Sequence, residues 1–353
     1  MDFDEQEQNP IPEEPERIVI AGDVSATNVL MGVFALAQGI QNTVLKGLYR
    51  GAEISNFPDV VSDLMERAQL RPDQVAKMVL SPAGPISSDG KRAEMTLANF
   101  SLDIEQMPVK TVLINDFLAI GYAVSDLRDE IEHVRLKHAD GGYGEPIDRE
   151  PIAIIGAGTG LGMARLFYDR DKGRYVPYSS EGGHMILAAD IEEEEDIDIV
   201  RSIFDDVGGK RPSYNDTVSG RGIARIYSYI RQKQGIDEDT GEDTAAFVAG
   251  KAKADPASVH GRVMDVFWNH YGTAMRNIAV HEVARGGLWI AGGIIRKNIM
   301  DGENVDARIE SRLMSSYING SHHYDWLSKI PVYAIMDAEI GLKGALQLAL
   351  REG

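Results

Sequence analysis

The chain of 353 residues contains no cysteine. Disulfides, thiolate catalysis and cysteine-bound zinc are therefore excluded, and a cytoplasmic location is expected. Long apolar runs are also missing. Nothing approaches the roughly 18 residues of a membrane-spanning helix, so no membrane partner is expected. The first sixteen residues, MDFDEQEQNPIPEEPE, are acidic and proline-containing, the reverse of a signal peptide. Positive charge is scarce. Lys and Arg number 36 against 55 Asp and Glu, for a formal net charge of −19. Seven of the acids and no base lie in residues 1–16, which are expected to be a disordered tail. The negative field disfavours nucleic acid as a partner. It also opposes an anionic ligand unless a cation and local N–H groups compensate. Hydrophobic residues make up 43% of the chain, enough for ordinary cores, and the length suits two domains.

The most informative stretch is GAGTGLG at Gly156–Gly162. It follows the apolar run Ile152–Ile155, which reads as a buried strand. After it come MARLFYD, a turn RDKG and Tyr175–Tyr178, so a strand follows the glycines rather than a helix. A dinucleotide fold needs a helix there and a glycine at position 161, where this chain has Leu161. A glycine-rich hairpin turn still offers backbone N–H groups to phosphate. Upstream, Arg17–Leu36 repeats the pattern: an apolar strand, a polar turn at Asp23–Asn28, and a second strand, with Val44–Arg50 continuing the sheet. Two such hairpins, one per half, suggest a duplicated architecture with a nucleotide between the halves. Asp23 at a strand end suits an outer-shell partner of Mg²⁺. Each hairpin taken singly also fits an ordinary polar turn.

Strands and helices alternate after each hairpin set. Helical spacing marks Phe57–Leu70, Phe117–Leu127, Asp216–Gln234, Ala245–Ala254, Ser258–Val283 and Leu342–Arg351. Strands are expected at Met78–Ser81, Thr111–Ile114, Gly287–Ala291 and Pro331–Ile335, and a loop at Lys137–Glu150. The acidic run Glu192–Asp198 reads as a solvated helix start, not a metal site. Val263–Val283 is apolar enough to be either core or an oligomer interface. The pattern predicts two α/β domains with mixed sheets and a cleft between them: residues 17–126 with the helix 341–353, and residues 127–340.

Two polar clusters can do chemistry. Asn115–Asp116 follow a strand, where ligands bind in α/β sheets. An aspartate there can accept a hydroxyl proton, and the asparagine can bond neighbouring hydroxyls. Asp116 equally fits a helix cap. Glu181-Gly-Gly-His184 places a carboxylate and an imidazole where both can face one ligand, one accepting and the other donating. It also reads as a glycine turn with exposed polar ends.

GDVSATN, LINDF, GAGTGLG, EGGH, SGRG, IAGGI, IPVYAI and GLKGA lie in an order and spacing that resemble the bacterial glucokinases. These belong to the hexokinase and actin-like ATPase superfamily with its ribonuclease H-like fold. The resemblance spans about residues 17–351 and lacks the cysteine zinc motif of the repressor-type sugar kinases. It implies transfer of the ATP γ-phosphoryl group to the 6-hydroxyl of glucose. On that basis Asp116 is the general base, and Asn115, Asp116, Glu181 and His184 bind the sugar. Gly22, Asp23, Val24, Ser25, Ala26, Thr27 and Asn28 hold phosphate, as do Gly158, Thr159 and Gly160. Gly292 and Gly293 lie near the adenosine, and Asp23 holds Mg²⁺ through water. A homodimer is also implied.

The chain departs from the family pattern in three places. Ser25 and Ala26 replace two glycines of the first phosphate loop, adding a Cβ and disfavouring positive φ. An arginine that usually follows Thr27-Asn28 is absent; Val29 is there. Asn215 stands where the family has a sugar-binding glutamate, and the lost charge is expected to weaken sugar binding by about tenfold. For the family's Thr-Asn sugar contact the sequence offers either Asn99 or a replacement by Leu97, with Asn99 preferred. Alternative readings are a kinase for another hexose or amino-hexose, motivated by Asn215, and a weakly catalytic sugar-binding protein, motivated by Ser25–Ala26.

Overall fold

The computed structural model describes residues 2–95, 98–241, 243–318, 322 and 324–351. The chain forms two compact units, residues 1–131 with 338–353, and residues 132–337. The divisions fall at 131/132 and 337/338, against 126/127 and 340/341 expected from the sequence.

In the first unit, β1 (Phe3–Gln8), β2 (Arg17–Val24), β3 (Asn28–Ala37), β4 (Ile40–Arg50), β5 (Lys77–Pro82) and β8 (Thr111–Leu113) form one sheet in the order β1-β4-β3-β2-β5-β8. The first four are antiparallel neighbours, whereas β5 and β8 run parallel to β2. A small hairpin of β6 (Arg92–Glu94) and β7 (Ser101–Asp103) stands apart from it. Along β2 the side chains alternate between faces, as a pleated strand requires. Ile18 and Ile20 pack into a core with α1 (Phe57–Arg67). Val19 and Ala21 face α2 (Asp116–Leu127) and the last helix, α10 (Ile340–Leu350).

The second unit holds β9 (His133–Leu136), β10 (Ile152–Ala157), β11 (Leu161–Asp169), β12 (Arg174–Ser180), β13 (Gly287–Ala291) and β16 (Val332–Ile335), ordered β12-β11-β10-β13-β16-β9. Again three antiparallel strands lead into two parallel ones. The series β4-β3-β2-β5-β8 and β12-β11-β10-β13-β16 are the same order twice, so the duplication expected from two hairpins extends to both sheets. β10 is buried along its whole length, as its continuous apolar run requires for a central strand. Helices α3 (Glu194–Asp206), α4 (Gly220–Gln234), α5 (Thr244–Ala254), α6 (Val259–Glu282), α7 (Gly293–Asn298), α8 (Ala307–Ile318) and α9 (Tyr324–Leu327) complete the unit, with a two-residue pair β14 (Met300–Asp301) and β15 (Asn304–Val305).

Three expectations change. The tail is not disordered: Phe3–Gln8 pairs with β4, and the Phe3 ring packs on Tyr49 at 4.8 Å. An edge strand needs only backbone bonds on one side and one apolar anchor, and charge on its outer face protects it. Glu192–Asp198 is not wholly solvated. Asp196 turns inward, and His270 Nε2 lies 2.7 Å from its Oδ1, both groups being buried. The fourth helix begins at Gly220 rather than Asp216, because Tyr214–Asp216 forms a separate 3₁₀ turn. The apolar helix α6 is core, with Phe267, Tyr271, Ala274 and Met275 fully buried. Among the described residues no helix is long and apolar enough to cross a membrane.

Candidate active site

The first unit carries the upstream loop. Gly22 and Val24 belong to the strand itself, where Gly22 fits between Met31 and Leu80, and Val24 is buried. The turn proper is Ser25–Asn28, with Thr27 and Asn28 exposed. Ser25 N–H donates to the Asn28 carbonyl (2.9 Å), as does its hydroxyl (2.8 Å), while Asn28 N–H donates back to Ser25 Oγ (3.1 Å). Neither Ser25 nor Ala26 has positive φ, so both sit in backbone conformations open to any residue. The expected conformational objection to replacing two glycines is thus absent here. The loop is braced by Gly51, whose N–H donates to Thr27 O (2.8 Å) and at which a Cβ would collide with the Ala26 carbonyl. Gly51 escaped the sequence reading; its only signal is a lone glycine at the end of β4.

Asp23, at the end of β2, is half-buried, its carboxylate set against Gly341 of α10, where no Cβ fits. Burial first, and the negative charge of Asp116 second, push its carboxyl up to about 7. Asn115 caps α2: its Oδ1 accepts from Phe117 N (3.0 Å) and Leu118 N (3.2 Å). Its Nδ2 donates to Asp116 Oδ1 (2.9 Å), which also accepts from Phe117 N (2.9 Å). Two donors on one oxygen orient the Asp116 carboxylate. The sequence left cap and base as rivals for Asp116. In the structure Asn115 takes most of the capping and steadies its neighbour. Asn99 is exposed and lines a polar cavity of ≈ 250 Å³ with Ser55, Asn56, Arg92, Ser101 and Gln106. Leu97, its rival, lies outside the described residues.

In the second unit the GAGTGLG turn joins β10 to β11. Gly158 N–H donates to Gly160 O (2.8 Å), and Gly158 O accepts from Gly220 N (2.8 Å) at the start of α4. Thr159 is exposed at the tip. Ser219 caps α4 through Gly222 N (3.0 Å) and donates to Asn215 O (2.8 Å). Asn215 Oδ1 accepts from Leu161 N (2.9 Å). Glu181 and His184 are exposed at the two ends of a 3₁₀ turn, with His184 N–H donating to Glu181 O (2.9 Å). Gly183 abuts the Leu161 carbonyl so closely that a Cβ would collide with it. The following residues pair with the segment before Asn215, through Leu187 N to Pro212 O (2.9 Å) and Tyr214 N to Met185 O (3.0 Å). One unit thus assembles the glycine loop, the Glu181–His184 turn and Asn215. Gly292 (φ 97°) and Gly293 open α7 beside them, since β13 pairs with β10 up to Gly156 and Ala291.

These groups sit at or just beyond the C-terminal ends of parallel strands, β2 and β8 in one unit, β10 and β13 in the other. That is where open α/β sheets bind ligands. In the first unit two close carboxylates suit a cation; in the second, the exposed glycine-turn backbone and the exposed Glu–His pair suit a phosphate and a polyol.

Known proteins decide the family. The sequence model of the glucokinase family matches residues 20–352. The chain belongs to the glucokinase family. It is 28% identical over 361 residues to a glucokinase of Nostoc punctiforme, covering 95% of this chain and 99% of that one. The fold matches glucokinase from Balamuthia mandrillaris in complex with glucose (TM-score 0.76, 18% identity, 94% and 93% of the chains). It also matches a ROK family glucokinase from Streptomyces griseus in complex with glucose and AMPPNP (TM-score 0.57, 15% identity, 94% and 98%). The architecture is the two-domain actin-like fold of these sugar kinases, and glucose phosphorylation with ATP is the activity that membership in the glucokinase family carries.

Proposed function

We propose that this glucokinase-family chain moves the γ-phosphoryl group of ATP to the 6-hydroxyl of D-glucose with Asp116 as general base. The observation that carries this is the oriented Asp116 carboxylate beside the half-buried Asp23. The sugar oxygen attacks phosphorus, its proton passes to Asp116, and the bond from the γ-phosphorus to the bridging oxygen breaks to release ADP. Asn115 acts through Asp116 as well as through any contact with the sugar. Glu181 and His184 offer ring hydroxyls an acceptor and a donor, and Asn99 is a further sugar contact. In the Ser25–Asn28 and Gly158–Gly160 turns the backbone N–H groups of Ala26, Thr27, Thr159 and Gly160 are offered to phosphates, those of Ser25, Asn28 and Gly158 being donated within the turns, with Gly292 and Gly293 beside the adenosine.

The carboxylates fit a divalent cation. Two close acids, one pushed up to about 7, gain from a positive neighbour. Mg²⁺ held through water by Asp23 would neutralise charge on the transferring group. A cytoplasmic location is part of the same reading, which the lack of cysteine fits. A homodimer is part of the same reading, for which the paired exposed rings of Phe167 and Tyr178 (6.1 Å) offer a contact; the mass in solution tests it. The reaction itself is tested by ADP release from MgATP with glucose, mannose, fructose and glucosamine. A rate higher with glucosamine than with glucose would move the reading to an amino-hexose kinase.

A further inference from the structure

Residue 215 was expected at the sugar, as a neutral substitute for a charged ligand. Its surroundings are those of the glycine loop. Asn215 Oδ1 takes the Leu161 N–H at 2.9 Å, immediately after the tip. Gly160 leaves room for that oxygen: a Cβ there would approach it to 2.8 Å. Main-chain bonds extend the tie. The Asn215 carbonyl accepts the Ser219 hydroxyl (2.8 Å), Ser219 caps α4, and Gly220 N–H returns to Gly158 O (2.8 Å). The loop is therefore fastened on both sides of Thr159, once by a backbone bond and once by a single side chain. Glycines at 158 and 160 carry no side chain that would hold the loop themselves. A turn meant to present N–H groups to phosphate must be held before the ligand arrives, because ordering it afterwards costs affinity.

We propose that Asn215 is a positioning residue for the nucleotide: it latches the 158–161 loop in its phosphate-binding shape, and its role is not that of a sugar ligand. The proposal rests on GAGTGLG being the phosphate loop. It also accounts for an asparagine where the family has glutamate. The position has passed from the sugar to the loop, and a neutral amide adds no charge beside the phosphates.

The test uses the full chain as wild type, Asn215→Ala, Gly160→Ala and the double variant. Calorimetry gives dissociation constants for MgAMPPNP and, separately, for glucose; hydrogen exchange follows the Gly156–Arg165 peptide. Asn215→Ala is expected to speed exchange in that peptide and weaken AMPPNP by about fivefold, with glucose affinity changed less than about twofold. Gly160→Ala should weaken AMPPNP in the wild type by pushing Oδ1 away, and have little further effect once Asn215 is alanine, so the two changes are not additive. Three results would overturn the proposal. Unchanged exchange would show that there is no latch. Faster exchange with unchanged AMPPNP affinity would fault the assignment of the loop to phosphate. Weaker glucose binding with intact nucleotide binding would return Asn215 to the sugar.

Discussion

The two turns, Ser25–Asn28 in one unit and Gly158–Gly160 in the other, occupy equivalent places in duplicated sheets and are held by different means. The first is held from within, by a serine hydroxyl that both donates and accepts across the turn. The second has one internal bond, from Gly158 N–H to Gly160 O, and is fastened from outside by Asn215 and the start of α4. Each is also braced by a glycine far away in sequence, Gly51 against Ala26 and Gly183 against Leu161. If these turns hold phosphates as proposed, a fixed backbone matters more than glycine. On the proposed reading, Ser25–Ala26 change how the turn is fastened, with Ser25 bonded to Asn28 in both directions.

The comparison can be broken at several points. The largest effect should come from Asp23, to which the first turn is attached. Asp23→Asn is expected to lower kcat/KM by about 10² or more, if cation anchoring contributes a few kcal/mol. Its stability signature has a defined sign. The folded protein raises this carboxyl from 3.8 to about 7, so it favours the protonated form. Stability of the metal-free protein is then lost as pH rises from about 4 to about 7 and stays low above that. Asn removes the penalty. Thermal melts in chelator should show the variant more stable than wild type at pH 8 and indistinguishable from it at pH 4. A variant less stable at pH 8 would contradict the environment assigned to Asp23.

Next come the two braces. Gly183→Ala and Gly51→Ala should each cost about 1–3 kcal/mol through overpacking, read from denaturant midpoints. The first should raise KM for both glucose and ATP, because Gly183 lies between Glu181 and the glycine loop. The second should raise KM for ATP only. Ser25→Ala removes the internal fastening and should raise KM for MgATP about fivefold. Ala26→Gly, at a position without positive φ, should change it less than about twofold. A large gain from Ala26→Gly would mean that the missing glycine does limit the first turn.

Much of this was legible in the sequence, for physical reasons. The run Ile152–Ile155 and its hairpin partner declared a buried central strand by their continuous apolar character. Asn115–Asp116 at the end of a short apolar strand fitted cap and base alike, and Gly292–Gly293 gained a role only through the family resemblance. What could not be read is whatever depends on a partner distant in sequence. Phe3–Gln8 looks disordered until β4 offers a pairing edge and Tyr49 a ring. Asp196 looks solvated among its acidic neighbours until α6 brings His270 to it. Asn215 looks like a sugar ligand by position alone, and only the fold puts Leu161 N–H beside it. That neither Ser25 nor Ala26 takes a positive φ is likewise visible only in the folded backbone.

The most direct test of the account is glucose-dependent ADP release from MgATP by wild type and Asp116→Ala, with the folded state of both checked by thermal melts. The account predicts turnover that needs glucose and falls by about 10²–10⁴ in the variant while its melting midpoint stays close to wild type. Near-wild-type turnover in the folded variant would contradict it.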